Sequence, residues 1–150
     1  MNVQIKILDP RAKVPQRGTA MAAGYDLIAC IDEPIVIGRQ AQAILVPTGI
    51  SIFMNDGEVA ALIMPRSGLG HKQGLVLGNT IGLIDGDYQG QLFVSAWNRG
   101  QQDKIVINPG DRIAQLTFIP VLHPTFIQVE EFTKETKRGE GGYGSTGVTA

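Results

Sequence analysis

The sequence predicts an all-β domain, a sandwich or barrel, on three observations. Runs rich in Val, Ile, Leu and Phe recur at strand length, turn signals containing glycine separate them, and no long window carries a helical apolar stripe. In chain order, VQIKI (3–7) alternates apolar and polar residues with period two, and PIVI (34–37), AILV (43–46), ISIFM (50–54) and VAALIM (59–64) follow as further strands. LFVSAW (92–97), KIVI (104–107), IAQLTFI (113–119) and FIQVEEF (126–132) complete the set. PTG, NDG, DGDYQG, NRGQQ and NPGD lie between them, where Gly, Asn, Asp and Pro supply the required backbone angles, and 19 glycines suit that many turns. One helical turn is expected after PRSG, with Ser67 as the cap of a short helix running through Lys72.

A chain of 150 residues is the size of one domain able to bury roughly 70% of the surface its unfolded form exposes. A net charge of −1 offers no polycationic face, so binding of a nucleic-acid polymer is not expected. The lone Cys30 rules out an internal disulfide and is read as inert core, and His71 and His123 are too isolated for a metal site. MNVQIKILDP lacks the apolar core of a signal peptide, and the longest apolar run is far shorter than the roughly 20 residues of a membrane helix. The expectation is a cytoplasmic protein with no membrane span. No repeat or linker interrupts residues 1–132, whereas TKETKRGEGGYGSTGVTA abandons alternation and has little to bury, so it is expected to be mobile.

Three stretches carry chemistry. GLIDGDYQG (82–90) places two carboxylates and a tyrosine among glycines, where the bland alternative is a plain turn. PRSGLG (65–70) offers the planar donor fork of Arg66, the hydroxyl of Ser67 and the unobstructed amide of Gly68, the parts of an anion site. A nucleophile elbow is excluded because Pro65 stands where that turn requires glycine. In the tail, GEGGYGST is glycine-rich in the manner of a phosphate cradle. It is not a Walker A loop, since Ser145 occupies the lysine position. Tyr143 is a solitary ring placed to stack on a planar base.

AGYDL (23–27), PRSGLG, GLIDGDYQG, PGDRIAQL (109–116) and RGEGGYGSTG (138–147) together, in this order, resemble the motifs of the trimeric deoxyuridine triphosphatases, the dUTP diphosphatases, over nearly the whole chain. The resemblance implies a jelly-roll-like sandwich or barrel, a homotrimer, and Mg2+-dependent hydrolysis of dUTP to dUMP and pyrophosphate at three sites, each drawing on all three chains. That activity keeps uracil out of DNA and supplies dUMP for thymidylate synthesis. Residues 1–136 would form the catalytic domain and 137–150 a flexible lid.

The same resemblance distributes roles. Asp85 would be the general base, aiming water at the α-phosphorus from a β-hairpin. Tyr88 would lie against the deoxyribose and exclude a 2′-hydroxyl. Asn79 and the backbone of Leu83, Ile84 and Phe93 would line the uracil pocket. Arg66, Ser67, Gly68 and Gln115 would hold phosphates, and Asp26 would meet the metal through water. Arg138 would reach the γ-phosphate, Tyr143 would stack on uracil where phenylalanine is the commoner family residue, and Ser145 and Thr146 would add phosphate hydrogen bonds. Arg112 reads as structural. The nearly unbroken apolar strand IAQLTFIPV is expected to bury both faces, partly against neighbouring copies.

Two alternatives stand beside this reading. A dCTP deaminase of the same fold needs a glutamate some ten residues after the hairpin aspartate, and Ser95 is there instead. A noncatalytic jelly-roll protein that binds nucleotides would have no need of Asp85.

Overall fold

The computed structural model describes residues 1–39 and 41–142. The chain forms β1 (Gln4–Ile7), β2 (Tyr25–Ile28), β3 (Ile35–Gly38), β4 (Ile44–Phe53), β5 (Val59–Pro65), α1 (Ser67–Lys72), β6 (Leu75–Leu77), β7 (Gly82–Ile84), β8 (Gln91–Asn98), β9 (Lys104–Ile107) and β10 (Arg112–Pro120). The strands assort into sheets ordered β1-β4-β8-β6 and β2-β10-β5-β7, with β3 and β9 as a separate ribbon. Every pairing is antiparallel.

Period-two patterning decides which way each strand faces. In β8, Leu92, Val94, Ala96 and Asn98 are buried while Phe93 and Trp97 point outward. Leu27, Ile63, Ala114 and Leu116 from the second sheet, and Ile37, Ile105 and Ile107 from the ribbon, meet that inner face in one core. Each such fully buried Leu, Ile or Val side chain contributes about 1.5–3 kcal/mol. Two buried polar residues are satisfied: Thr48 Oγ1 donates to Leu92 O at 2.7 Å, and Asn98 Nδ2 donates to Ile37 O and Gln102 O at 3.2 and 3.0 Å. Asn98 thereby ties β8 to the ribbon.

Several expectations are corrected. AILV and ISIFM are not two strands but the single β4, because the PTG turn signal between them is absorbed as a bulge, with a register shift between Pro47 and Ser51. Gly49 adopts φ +70° there, and a Cβ on it would lie 2.7 Å from both Ala12 Cβ and Cys30 Sγ, so glycine is required on two grounds. Helix α1 exists, but Ser67 is its first residue rather than its cap. Arg66 holds the cap position with extended backbone and no side-chain cap bond. FIQVEEF is not a strand: after Pro120 no helix or strand follows among the described residues, and Phe126 and Phe132 are more than nine-tenths exposed. No strand pairs with it, so its apolar pattern has nothing to face. β10 is central, flanked by β2 and β5, and Ile113, Ala114 and Leu116 are buried within this one chain. Phe118 and Ile119 in the same run are only half-buried.

Candidate active site

The outer face of the second sheet builds one half of the site. Asp26 pairs with Gln115 across β2 and β10, and Gln115 pairs with Met64 on β5. With Leu27, Ala114 and Leu116 turned into the core, alternation sends Asp26 and Gln115 outward together. Gln115 Nε2 donates to Pro65 O at 2.9 Å, holding the amide beside the start of α1. A Cβ on Gly24 would come within 2.6 Å of Gln115 Oε1, so glycine there leaves room for that side chain. Arg66, Ser67 and Gly68 follow Pro65 directly, and with Asp26, Lys72, Arg112 and Gln115 they line a cavity of about 530 Å³.

Charge in this cavity is ordered. Asp26 receives Arg66 Nε at 3.0 Å and Arg112 Nη1 at 3.2 Å, and Arg66 Nη1 also donates to Arg112 O at 3.1 Å. Arg66, Lys72 and Arg112 thus face a single lining carboxylate, a balance suited to a polyanion. Ser67 and Gly68 are exposed, and a Cβ on Gly68 would meet nothing within 4 Å.

Asp85 belongs to a different place. It follows Ile84, which pairs with Ala61 near the far end of β5. The loop from Asp85 to Gly90 leads from β7 in one sheet to β8 in the other, so the expected β-hairpin is corrected to a crossover between sheets. Six residues are more than the two that a tight hairpin uses. The loop is pinned from below: Asn55 N donates to Gly86 O at 3.0 Å, and a Cβ on Gly86 would overlap Asp56 O. Tyr88 N donates to Asp85 O at 3.2 Å, and Tyr88 Oη donates to Gln91 O at 3.0 Å. Asp85 is exposed and, among the described residues, forms no ion pair. It lines a second cavity of about 570 Å³ with Leu83, Asp56, Gly86, Asp87 and His123.

The other sequence candidates scatter. Asn79 is exposed in the turn between β6 and β7, Ile84 is half-buried against the core, and Phe93 lies on the outer face of the first sheet opposite Pro47, away from Leu83. Arg138 is exposed, with Nε donating to Gly141 O at 2.9 Å. Tyr143, Ser145 and Thr146 lie outside the described residues. One chain therefore brings together Asp26, Arg66, Ser67, Gly68 and Gln115 but keeps them apart from Asp85.

Sequence reasoning missed Thr80, a β-branched residue at φ +62°, beside Asn79. Its Oγ1 donates to Asn79 O at 2.6 Å, and Ile81 N donates to the same oxygen at 2.7 Å. Backbone strain of this kind, worth about 1–3 kcal/mol, concentrates at functional sites. No composition signal reveals it. Cys30 is buried, and burial pushes its thiol pKa up, as the inert-core reading expects.

With this geometry in view, comparisons with known proteins decide the family. The dUTPase family model matches residues 10–147. The chain belongs to the dUTPase family. Deoxyuridine 5'-triphosphate nucleotidohydrolases from Legionella pneumophila (strain Paris) and Hydrogenovibrio crunogenus are 55% and 53% identical to it, over 97% and 98% of this chain and 96% and 97% of theirs. The fold matches the dUTPase of Staphylococcus bacteriophage 80alpha with dUPNHPP at a TM-score of 0.87 and 29% identity, covering 98% and 99% of the two chains. A mutant dUTPase of phage phi11 of S. aureus, solved with a structural Mg(II) ion, matches at a TM-score of 0.77 and 27% identity over 88% of this chain and 99% of that one. As a dUTPase the chain is a hydrolase of nucleotide metabolism.

The residues fit a magnesium ion of one kind. Among the described residues no three His, Cys, Asp or Glu side chains gather as a metal cage, and Asp26, the only carboxylate in the basic cavity, is already held by two arginines. Such a donor set would suit a hard cation that met Asp26 as its one protein carboxylate. No helix among the described residues is long and apolar enough to cross a membrane.

Proposed function

We propose that the chain hydrolyses dUTP to dUMP and pyrophosphate in the cytoplasm, as a homotrimer whose sites each combine parts of different copies. The observation that carries this reading is the length of β5 between Arg66 and Asp85. Arg66 follows Pro65, and Asp85 stands level with Ala60, so the two are separated by roughly 20 Å of strand. A triphosphate cannot lie on Arg66 while its α-phosphorus faces Asp85 of the same chain. A neighbouring copy removes the conflict, and the exposed arm beyond Pro120, with Leu122, Phe126 and Phe132 at least nine-tenths exposed, supports such a neighbour.

In this assembly Arg66, Ser67, the Gly68 amide and Gln115 of one copy bind the phosphates, with Arg66 exchanging its Asp26 partner for phosphate oxygen. Arg112 stays on Asp26 as a structural support. Asp85 of another copy accepts a proton from water, and the water oxygen attacks the α-phosphorus. The bond from that phosphorus to the β-phosphate oxygen breaks, and pyrophosphate leaves. Mg2+, when bound with the substrate, would supply charge neutralisation, and Asp26 would be the residue that meets it through water. Among the described residues Asp85 has no ion pair, and positioning and electrostatics provide most of the acceleration. Tyr88 lies against the sugar, while Asn79, Leu83, Ile84 and Phe93 serve the base. In its own chain Phe93 lies on the outer face of the other sheet. The segment 137–150 closes the site, with Arg138 on the γ-phosphate, Tyr143 on uracil, and Ser145 and Thr146 on phosphates. The reaction supplies dUMP and keeps uracil from entering DNA.

Phosphorus NMR tests the reaction. The protein with Mg2+ is given dUTP, dCTP, dTTP or UTP separately. Pyrophosphate and dUMP from dUTP alone are expected, and unchanged dUTP with folded protein would refute the activity.

A further inference from the structure

His123 lies outside every motif described above, and its place in the fold is specific. Its Nε2 meets Gly57 O at 2.6 Å, so that nitrogen carries the proton and the carbonyl accepts it. Two residues earlier, Val121 N donates to Glu58 O at 2.9 Å. The start of the exposed arm is thus bound twice to the turn between β4 and β5. That turn also props the Asp85 loop, through the bond from Asn55 N to Gly86 O and the contact of Asp56 O with Gly86. Arm, turn and loop converge on the cavity of about 570 Å³ that His123 and Asp85 both line.

Among the described residues, His123 is also the last tether. Beyond it, the hydrogen bonds of the arm among the described residues are local ones within 136–141, and residues 124–140 are exposed. Pro124 follows immediately and confines His123 to extended backbone, so the imidazole anchor and the proline together set the direction in which the arm departs. We propose that His123 is a positioning residue that latches the base of the arm to the 55–58 turn, setting the departure of the arm and the placement of the Asp85 loop together. This rests on the assignment of Asp85 and the tail to dUTP hydrolysis. The latch acts through hydrogen bonding and not through contact with substrate. Glutamine, which also carries an Nε2–H donor, can replace it, whereas alanine cannot.

The test compares the wild-type protein with His123→Ala and His123→Gln in hydrogen exchange and in dUTP turnover. For the alanine variant the amides of Asn55 and Val121 exchange faster, kcat falls about 5- to 10-fold with KM little changed, and the melting temperature and oligomeric state stay as in the wild type. The glutamine variant restores both exchange and kcat. Unchanged exchange and kcat in the alanine variant would overturn the latch, as would a glutamine variant as impaired as alanine. A wild-type protein that left dUTP intact would instead overturn the hydrolase reading, while the exchange data would still decide whether the latch exists.

Discussion

Arg66 and Asp85 flank opposite ends of β5: one follows Pro65, and the other lies level with Ala60 across the pairing with β7. The proposed phosphate clamp and general base, held this far apart by a hydrogen-bonded strand, cannot meet through loop motion within one chain. Each is therefore expected to be indispensable to a site it does not complete alone.

Asp85→Asn keeps the shape of the loop and removes the proton acceptor. Turnover is expected to fall roughly 100- to 10,000-fold while dUTP binding by calorimetry stays within about twofold. Unchanged turnover would remove Asp85 from the mechanism.

Asp26→Asn releases Arg66 and Arg112 from their shared carboxylate. Metal-free binding of dUTP is expected to tighten by about threefold or more, since one negative charge leaves the cavity proposed to take the phosphates, while Mg2+-supported turnover falls. Titration calorimetry with and without Mg2+ reads both. Weaker metal-free binding would show that Asp26 orients Arg66 more than it competes with substrate.

Removing residues 137–150 is expected to leave the melting temperature and the assembly intact while turnover falls at least about tenfold. Full activity without the segment would refute its role as a lid.

A pH dependence follows from Asp9, whose carboxylate is held far below its ordinary value by hydrogen bonds from Arg11, with Arg11 also paired to Asp32. A depressed folded-state pKa means stability that is fully present above the ordinary value of 3.8 and lost as pH falls toward the depressed one. The wild type is expected to melt above Asp9→Asn at neutral pH, with the difference shrinking below about pH 4. A difference constant down to pH 2 would contradict it.

Much of the fold is legible in the sequence because β4, β5, β8 and β10 carry their own period-two or apolar patterns. The short β2, β6 and β7 are not, since YDLI, LVL and GLI lack the four-residue apolar run or alternation that marks the equally short β3 and β9, and they exist because a longer neighbour pairs with them. FIQVEEF shows the converse, a strand-like pattern with no partner. At the candidate site, residue types and order single out Arg66, Gln115 and Asp85, but do not show that Asp26 clasps two arginines, that Thr80 has a positive φ, or that His123 reaches back to Gly57. Those facts depend on long-range packing.

The most direct test of the shared site mixes two inactive proteins. Asp85→Asn and Arg66→Gln chains are unfolded together in equal amounts, refolded, and checked by native mass spectrometry for mixed assemblies. About a quarter of wild-type turnover is expected, because random assortment in a cyclic trimer pairs an intact Asp85 with an intact Arg66 of a neighbour at that frequency. Mixed assemblies with no recovered turnover would contradict a site built from different copies.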